Sequence, residues 1–271
     1  TAISDLYFKS IKPYISGDRI TNPDFEVNHD SIDVSRSSTQ VRNQRRIEAG
    51  SAAHIDKRRR EIADEVRANP NHTMRRAQNW QSTLNRRATE RARKEVEEQH
   101  QANIDGGDFN QNAKIQALRS ELGKNPDSKH VVYVDSKTQR SAIAGMLADM
   151  GMGRNQIKNI ASTATGSISG RDMAKRVKAF KDDPNVNIML IDQSSASGYN
   201  LQVADTMHIV GNPVDAANYL QAQGRVARMP RKGDVGIKTY RYQDDPLSAS
   251  KWNDLDAQLK VLRAAAPGMF A

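Results

Sequence analysis

The run His130-Val-Val-Tyr-Val-Asp-Ser-Lys-Thr-Gln-Arg-Ser-Ala-Ile-Ala-Gly-Met-Leu-Ala-Asp-Met150 changes its period in the middle, and that change decides the fold. Residues 130–134 read as a strand buried on both faces. From Lys137 onward Ile143, Met146, Leu147 and Met150 recur at helical spacing. The same alternation repeats outward. A strand is expected within Gln156–Ser162 and a helix over Gly170–Phe180. Val186–Ile191 and Thr206–Val210 read as further strands, then a helix from Val214 to about Arg225, the alternating strand Val235–Tyr242 and a closing helix Trp252–Leu262 on the sheet edge. Strands that alternate with helices predict an α/β fold, a parallel sheet with helices on both faces. On the other side, Ala113, Ile115, Leu118 and Leu122 form a short helical stripe that ends at Gly123 and Pro126, after a break at Asp105-Gly-Gly-Asp108.

Upstream of that break the composition is different. Arg36–Lys94 holds 16 Lys or Arg against 6 Asp or Glu, a local charge of +10 beside +9 for all 271 residues. Its apolar residues are thinly spread, so it reads as basic, polar helices. Such helices serve either as solvated spacers or as a nucleic-acid surface, with Arg58, Arg59, Arg75 and Arg76 as candidate contacts. Three regions are expected: a docking segment, 1–35, that begins with the short amphipathic stretch of Leu6, Tyr7, Phe8, Ile11, Tyr14 and Ile15; a basic helical insertion or extension, 36–111; and the α/β domain, 112–271.

The chain has no cysteine and only six histidines without paired spacing, so no disulfide and no metal site is expected. No apolar run approaches the roughly 20 residues of a membrane helix, and Thr1-Ala-Ile-Ser-Asp5 lacks the pattern of a signal segment. Thr1 in place of Met points to a processed product or a piece of a longer protein.

In parallel α/β sheets ligands sit beyond the carboxyl ends of the strands. The loop after Ile191 is Asp192-Gln-Ser-Ser-Ala-Ser-Gly-Tyr-Asn-Leu201, whose small residues allow close backbone approach to a phosphate or a facing domain. The helix after Val210 ends in Gln221-Ala-Gln-Gly-Arg-Val-Ala-Arg228. Helical spacing stacks Gln221, Gly224, Arg225 and Arg228 on one face. Two guanidinium groups there suit nucleotide phosphates, and a solvated basic helix end accounts for them as well.

Taken together, these blocks resemble the second RecA-like lobe of superfamily-two helicases and translocases, closest in wording to the Swi/Snf-like branch. The likeness runs over residues 112–245 and rests on Ala113–Leu118, Val131–Val134, Gly166–Arg171 with Val177–Phe180, Ser195–Leu201 with Ala204-Asp205, and Gln221–Arg228. It implies a RecA-like parallel sheet. It also implies that Arg225 and Arg228 act as arginine fingers on ATP held by a first lobe, and that Gln221 couples that site to nucleic acid. Ser195, Gly198 and Asn200 would line the cleft beside Gly224, and Ser136 and Lys137 would lie near the nucleic-acid backbone. The chain departs from the pattern at Ser194, Ser195 and Ala196, where glycines are usual, and at Pro230.

No G-x-x-x-x-G-K-[ST] phosphate loop occurs in these residues, and Asp64-Glu65 sits in a polar helical run rather than after a buried strand. ATP and magnesium are therefore expected only in company with a first lobe that carries the phosphate loop. The expected partners are that lobe and nucleic acid, DNA rather than RNA, in a bacterial or infected cytoplasm. The alternative is a non-catalytic, helicase-derived structural or DNA-associated protein, such as a processed phage virion or ejected component with virion assembly partners.

Overall fold

The computed structural model describes residues 26–69, 79–105, 108–153, 155–161, 168–193, 195, 199–213, 215–227 and 233–265. Six strands form one sheet: β1 Val27–Val34, β2 His130–Tyr133, β3 Ile157–Asn159, β4 Ile188–Ile191, β5 Thr206–Ile209 and β6 Val235–Tyr242. Their order is β1-β6-β5-β2-β4-β3, and every neighbouring pair is parallel. The helices are α1 Ser38–Ala68, α2 Trp80–Asp105, α3 Ala113–Lys124, α4 Lys137–Asp149, α5 Gly170–Asp182, α6 Ala216–Gln223 and α7 Pro246–Ala265.

The unbroken apolar strands are explained by a core on each face. Val131, Tyr133, Met189, Ile191 and Met207 point to one side, where α5, α6 and α7 deliver Phe180, Tyr219, Ala222, Trp252 and Leu255. Val132, Val134, Ile188 and Leu190 point to the other, against Ile115, Leu118 and Leu122 of α3 and Ile143, Met146 and Leu147 of α4. With period-two side chains, both phases of the strand must be apolar. The structure thus has the expected parallel sheet with helices on both faces, preceded by a helical segment.

Two details differ from the sequence reading. The closing helix begins earlier, at Pro246, and packs on a sheet face beside α6 rather than on the edge. The edge beyond β6 is taken by β1, which pairs with it from Val27↔Val235 to Val34↔Tyr242. Arg58 and Arg59 lie on a helical pair, α1 with α2, whose small core is Ile62, Val66, Leu84 and Ala88.

A chain of buried rings crosses three strands. His130 Nε2–H donates to Asn125 O at 2.9 Å, which leaves His130 Nδ1 to accept from His208 Nε2–H at 3.1 Å. His208 Nδ1 then accepts from the Tyr240 hydroxyl at 2.9 Å. Both imidazoles are thereby neutral, and burial lowers both pKa values, that of His208 well below the usual range. The unfolded chain takes up protons that the folded one refuses below about pH 6.5. Depressed histidine pKa values therefore mean stability that is present at neutral pH and lost as pH falls. We expect the unfolding free energy of the protein to drop relative to His208→Gln by up to about 1.4 kcal/mol per pH unit below that point, since the two proteins differ by one histidine. Urea titrations of both proteins at pH 7 and pH 5 measure it, and a constant difference would count against the neutral pair.

Candidate functional site

The carboxyl ends of β2, β4, β5 and β6 share one edge of the sheet. Four loops meet there. After β4, Ser195 is buried, and its hydroxyl accepts from Asp192 N at 2.8 Å and donates to Asp192 Oδ1 at 2.9 Å. Its side chain thus shapes the loop. Asn200 closes the next turn, with its Oδ1 accepting from Gln202 N at 3.0 Å and its Nδ2 donating to Gln202 Oε1 at 2.7 Å.

The helix that was expected to carry both arginines stops sooner. α6 ends at Gln223, and Gly224 follows at φ −64° and ψ 0°, its N–H still bonded to Leu220 O at 2.9 Å. Arg225 therefore lies in the turn after the helix, not on its face. The cause is a competing bond: Arg225 O accepts from Leu201 N at 2.8 Å, so the Ser195–Leu201 loop and the arginine segment are pinned to each other. Arg225 is buried to 7% exposure and Gln221 is half-exposed. Beside them Gln223, which the sequence reading passed over, is also buried, and its Nε2 has no hydrogen-bond partner among the described residues. Gly198 and Arg228 lie outside the described residues, as do Arg75 and Arg76.

After β2, Ser136 caps α4 by accepting from Gln139 N at 3.1 Å, while the Lys137 side chain is exposed. Asp135 Oδ2 accepts from Asn212 N at 2.7 Å in the loop after β5. Gly211 fits between them only because it lacks a side chain: a Cβ there would stand 2.5 Å from Asp135 N. Below this contact Lys114 is buried on α3. Its Nζ donates to Val210 O at 3.2 Å and Asn212 Oδ1 at 3.5 Å, and lies 4.9 Å from the centre of the Tyr242 ring. Loss of hydration lowers the Lys114 ammonium to about 8 and raises the buried Asp105 carboxyl, at the end of α2, to about 7. Only the position of Lys114 within an apolar stripe hinted at its burial.

The base of the helical pair is joined to this edge by buried polar contacts. Gln40 Nε2 donates to the Tyr242 hydroxyl at 2.8 Å, and that hydroxyl donates to Asn112 Oδ1 at 3.1 Å. Asp245 accepts from Arg36 Nη1 at 3.0 Å, His100 Nε2 at 2.8 Å and Ser248 N at 2.8 Å. Of the basic candidates farther out, Arg58 is paired with both Glu61 and Glu95, and Arg59 with Asp56 at 3.3 Å. Asp64 and Glu65 are engaged by Arg67 and Arg91 on the helix surface.

Residues 113–230 match the family described as helicase conserved C-terminal domain. The whole fold is similar to the C-terminal part of the Fun30 ATPase domain, with a TM-score of 0.57 and 11% identity over 90% of this chain and 96% of that one. It is also similar to the C-terminal domain of the Sulfolobus solfataricus SWI2/SNF2 ATPase, at TM-score 0.54 and 10% identity over 88% and 87% of the two chains. The SWI2/SNF2 ATPase core of the same organism, solved in complex with dsDNA, matches at TM-score 0.55 and 11% identity over 87% of this chain, which spans 47% of that core. No curated protein sequence matches. Among the described residues no helix is long and apolar enough to cross a membrane.

Proposed function

We propose that the chain is the second-lobe portion of an ATP-dependent DNA translocase, a reading supported by the match of residues 113–230 to the helicase conserved C-terminal domain and by a fold similar to the C-terminal domains of Fun30 and SWI2/SNF2 ATPases. The reading is carried by the bond between Leu201 N and Arg225 O, which holds the two loops best suited to face a nucleotide as one unit. In this reading the nucleotide is held by a lobe that bears the phosphate loop, and supplies the phosphoryl group to be cleaved. Arg225 and Arg228 present planar, permanently charged donors to its terminal phosphates. The residues present fit such a ligand: beside the arginine turn, the buried Gln223 Nε2–H is a further donor without an acceptor among the described residues. Gln221 and Asn200, half-exposed at the same edge, transmit the state of that site to the bound strand. Lys137, exposed at the start of α4, contacts the nucleic-acid backbone.

A photoreactive group on the γ-phosphate of an ATP analogue tests the geometry. With a lobe bearing the phosphate loop joined to this chain, the label is expected on the segment 221–228. Labelling confined to other parts of the chain would contradict the assignment.

A further inference from the structure

We propose that the outer face of α1 near its start is a docking surface for the backbone of double-stranded DNA, formed by Arg42, Arg45 and Arg46, and that it extends the track that begins at Lys137. The proposal rests on the nucleic-acid reading above and adds a surface outside the helicase domain.

The first observation is the distribution of paired charge. Along the helical pair some cations are answered by carboxylates: Lys57 with Glu61, Arg58 with Glu61 and Glu95, Arg59 with Asp56, Arg67 with Asp64, and Arg91 with Glu65. Arg42, Arg45 and Arg46 are exposed and have neither ion pair nor hydrogen bond among the described residues. Their spacing of three and four places the guanidinium groups on one face, where they repel each other unless an anion lies between them. The sequence reading chose Arg58 and Arg59 from the same segment. Their charges are already answered by carboxylates, whereas Arg42, Arg45 and Arg46 form an unanswered triad about four turns nearer the start of α1, on the side of the sheet edge.

The second observation is position. The start of α1 is fixed to the sheet edge by the bond from Gln40 to Tyr242. Arg46 lies within about two turns of that anchor. A concavity lined by Asn43, Arg46, Asn103, Gln111 and Thr138 connects α1 and α2 with the first turn of α4. Thr138 follows Lys137 directly, so Arg46, at one side of the triad, and the strand-end loop border one continuous surface. Its side-chain amides and hydroxyl are phosphate donors as well.

The third observation selects the ligand. Neither Phe, Tyr nor Trp occurs in α1, and α2 has only Trp80 at its far end. Single strands are usually held by stacking their bases on aromatic rings. A rigid helix face with guanidinium groups and amides but no rings suits the regularly spaced phosphates of a duplex.

The test is the salt dependence of binding. A fluorescein-labelled duplex of about 20 base pairs is titrated with the full chain at several KCl concentrations, and the slope of log K against log[salt] is compared with that of R42A/R45A/R46A. Three lost phosphate contacts should make the slope shallower by about 2.7 and weaken binding at least tenfold at the lowest salt. The charge-matched K175A/K178A/K181A, on the exposed face of α5, should keep the slope of the parent. Circular dichroism melts confirm that both triple variants fold, as exposed substitutions should. An unchanged slope in R42A/R45A/R46A, with K137A still weakening the complex, would overturn this surface and leave the proposed function standing. An equal fall in both triple variants would overturn it too, because binding would then follow net charge. A parent chain that binds no duplex would remove the surface and the DNA contacts of the proposed function together.

Discussion

Replacing Asp245 by Ala is expected to cost about 3–5 kcal/mol of folding free energy, the range for breaking a buried charge pair by removing one partner. Asp245 is fully buried, and its two oxygens accept from Arg36, His100 and the backbone N–H of Ser248. The Ala variant leaves the His100 imidazole Nε2 and the Arg36 Nη1 without the carboxylate, Arg36 keeping its contacts to Asp244, and takes away the acceptor that holds the first turn of α7. Burial alone would raise the Asp245 pKa, but the bonds from His100 and Ser248 outweigh it and hold the carboxyl below its usual value. The sign follows from linkage: a depressed carboxyl pKa contributes stability above about pH 4 that is lost as pH falls through the folded value. The effect should also be localised. Arg36 and His100 belong to the basic helical segment, so Asp245→Ala should speed amide exchange at the start of α1 and the end of α2 more than in β2 and β4. Asp245→Asn, which keeps one acceptor oxygen, should fall between. Urea unfolding of the three proteins measures this, and a loss under about 1 kcal/mol for the Ala variant would show that the helices are held to the sheet by other means.

The second large effect concerns catalysis. When this chain is joined to a lobe with a phosphate loop, Arg228→Ala should lower DNA-stimulated ATP hydrolysis about a thousandfold, since a finger arginine acts on charge that develops in the transition state. Because that charge is absent from the ground state, kcat should fall with KM little changed. Arg225→Ala should lower the rate as well, and here a Lys substitution should rescue poorly. Arg225 is buried in a turn whose carbonyl is bonded to Leu201, so the planar fork matters and a point charge does not replace it. The paired variants also separate the two roles of the segment. If Arg225→Ala destabilises the lobe, the loss appears in urea unfolding, whereas the activity loss of a folded Arg225→Lys reports the contact with phosphate. An unchanged rate in Arg228→Ala would remove the finger assignment.

The strands of the sheet were legible because burial on both faces writes a continuous apolar run, as at Val131–Val134 and Ile188–Ile191. β1 was not. Val27–Val34 is an edge strand with His29, Asp30 and Asp33 among its exposed residues, and it is identified by backbone pairing with β6 rather than by a pattern of its own. The end of α6 shows another limit. Spacing projects a helix through Arg228, yet Gly224 has poor helix propensity and the bond from Leu201 to Arg225 diverts the chain. That bond joins residues 24 positions apart and has no local signature. The same holds for Gln40 with Tyr242 and for Arg58 with Glu95, where the partner determines whether a polar residue anchors the fold, neutralises a charge or leaves it free. Local propensity reads the elements; the roles of polar residues are set by tertiary contacts.

The central claim is that this chain completes a nucleotide site that begins on another lobe. Its most direct test is steady-state ATP hydrolysis, with and without duplex DNA, by a lobe bearing the phosphate loop, alone and joined to residues 1–271. Hydrolysis that is strong and DNA-stimulated only in the joined protein, and lost in its R225A/R228A variant, is the predicted result. A rate that is the same for the lobe alone, the joined protein and the variant would contradict it.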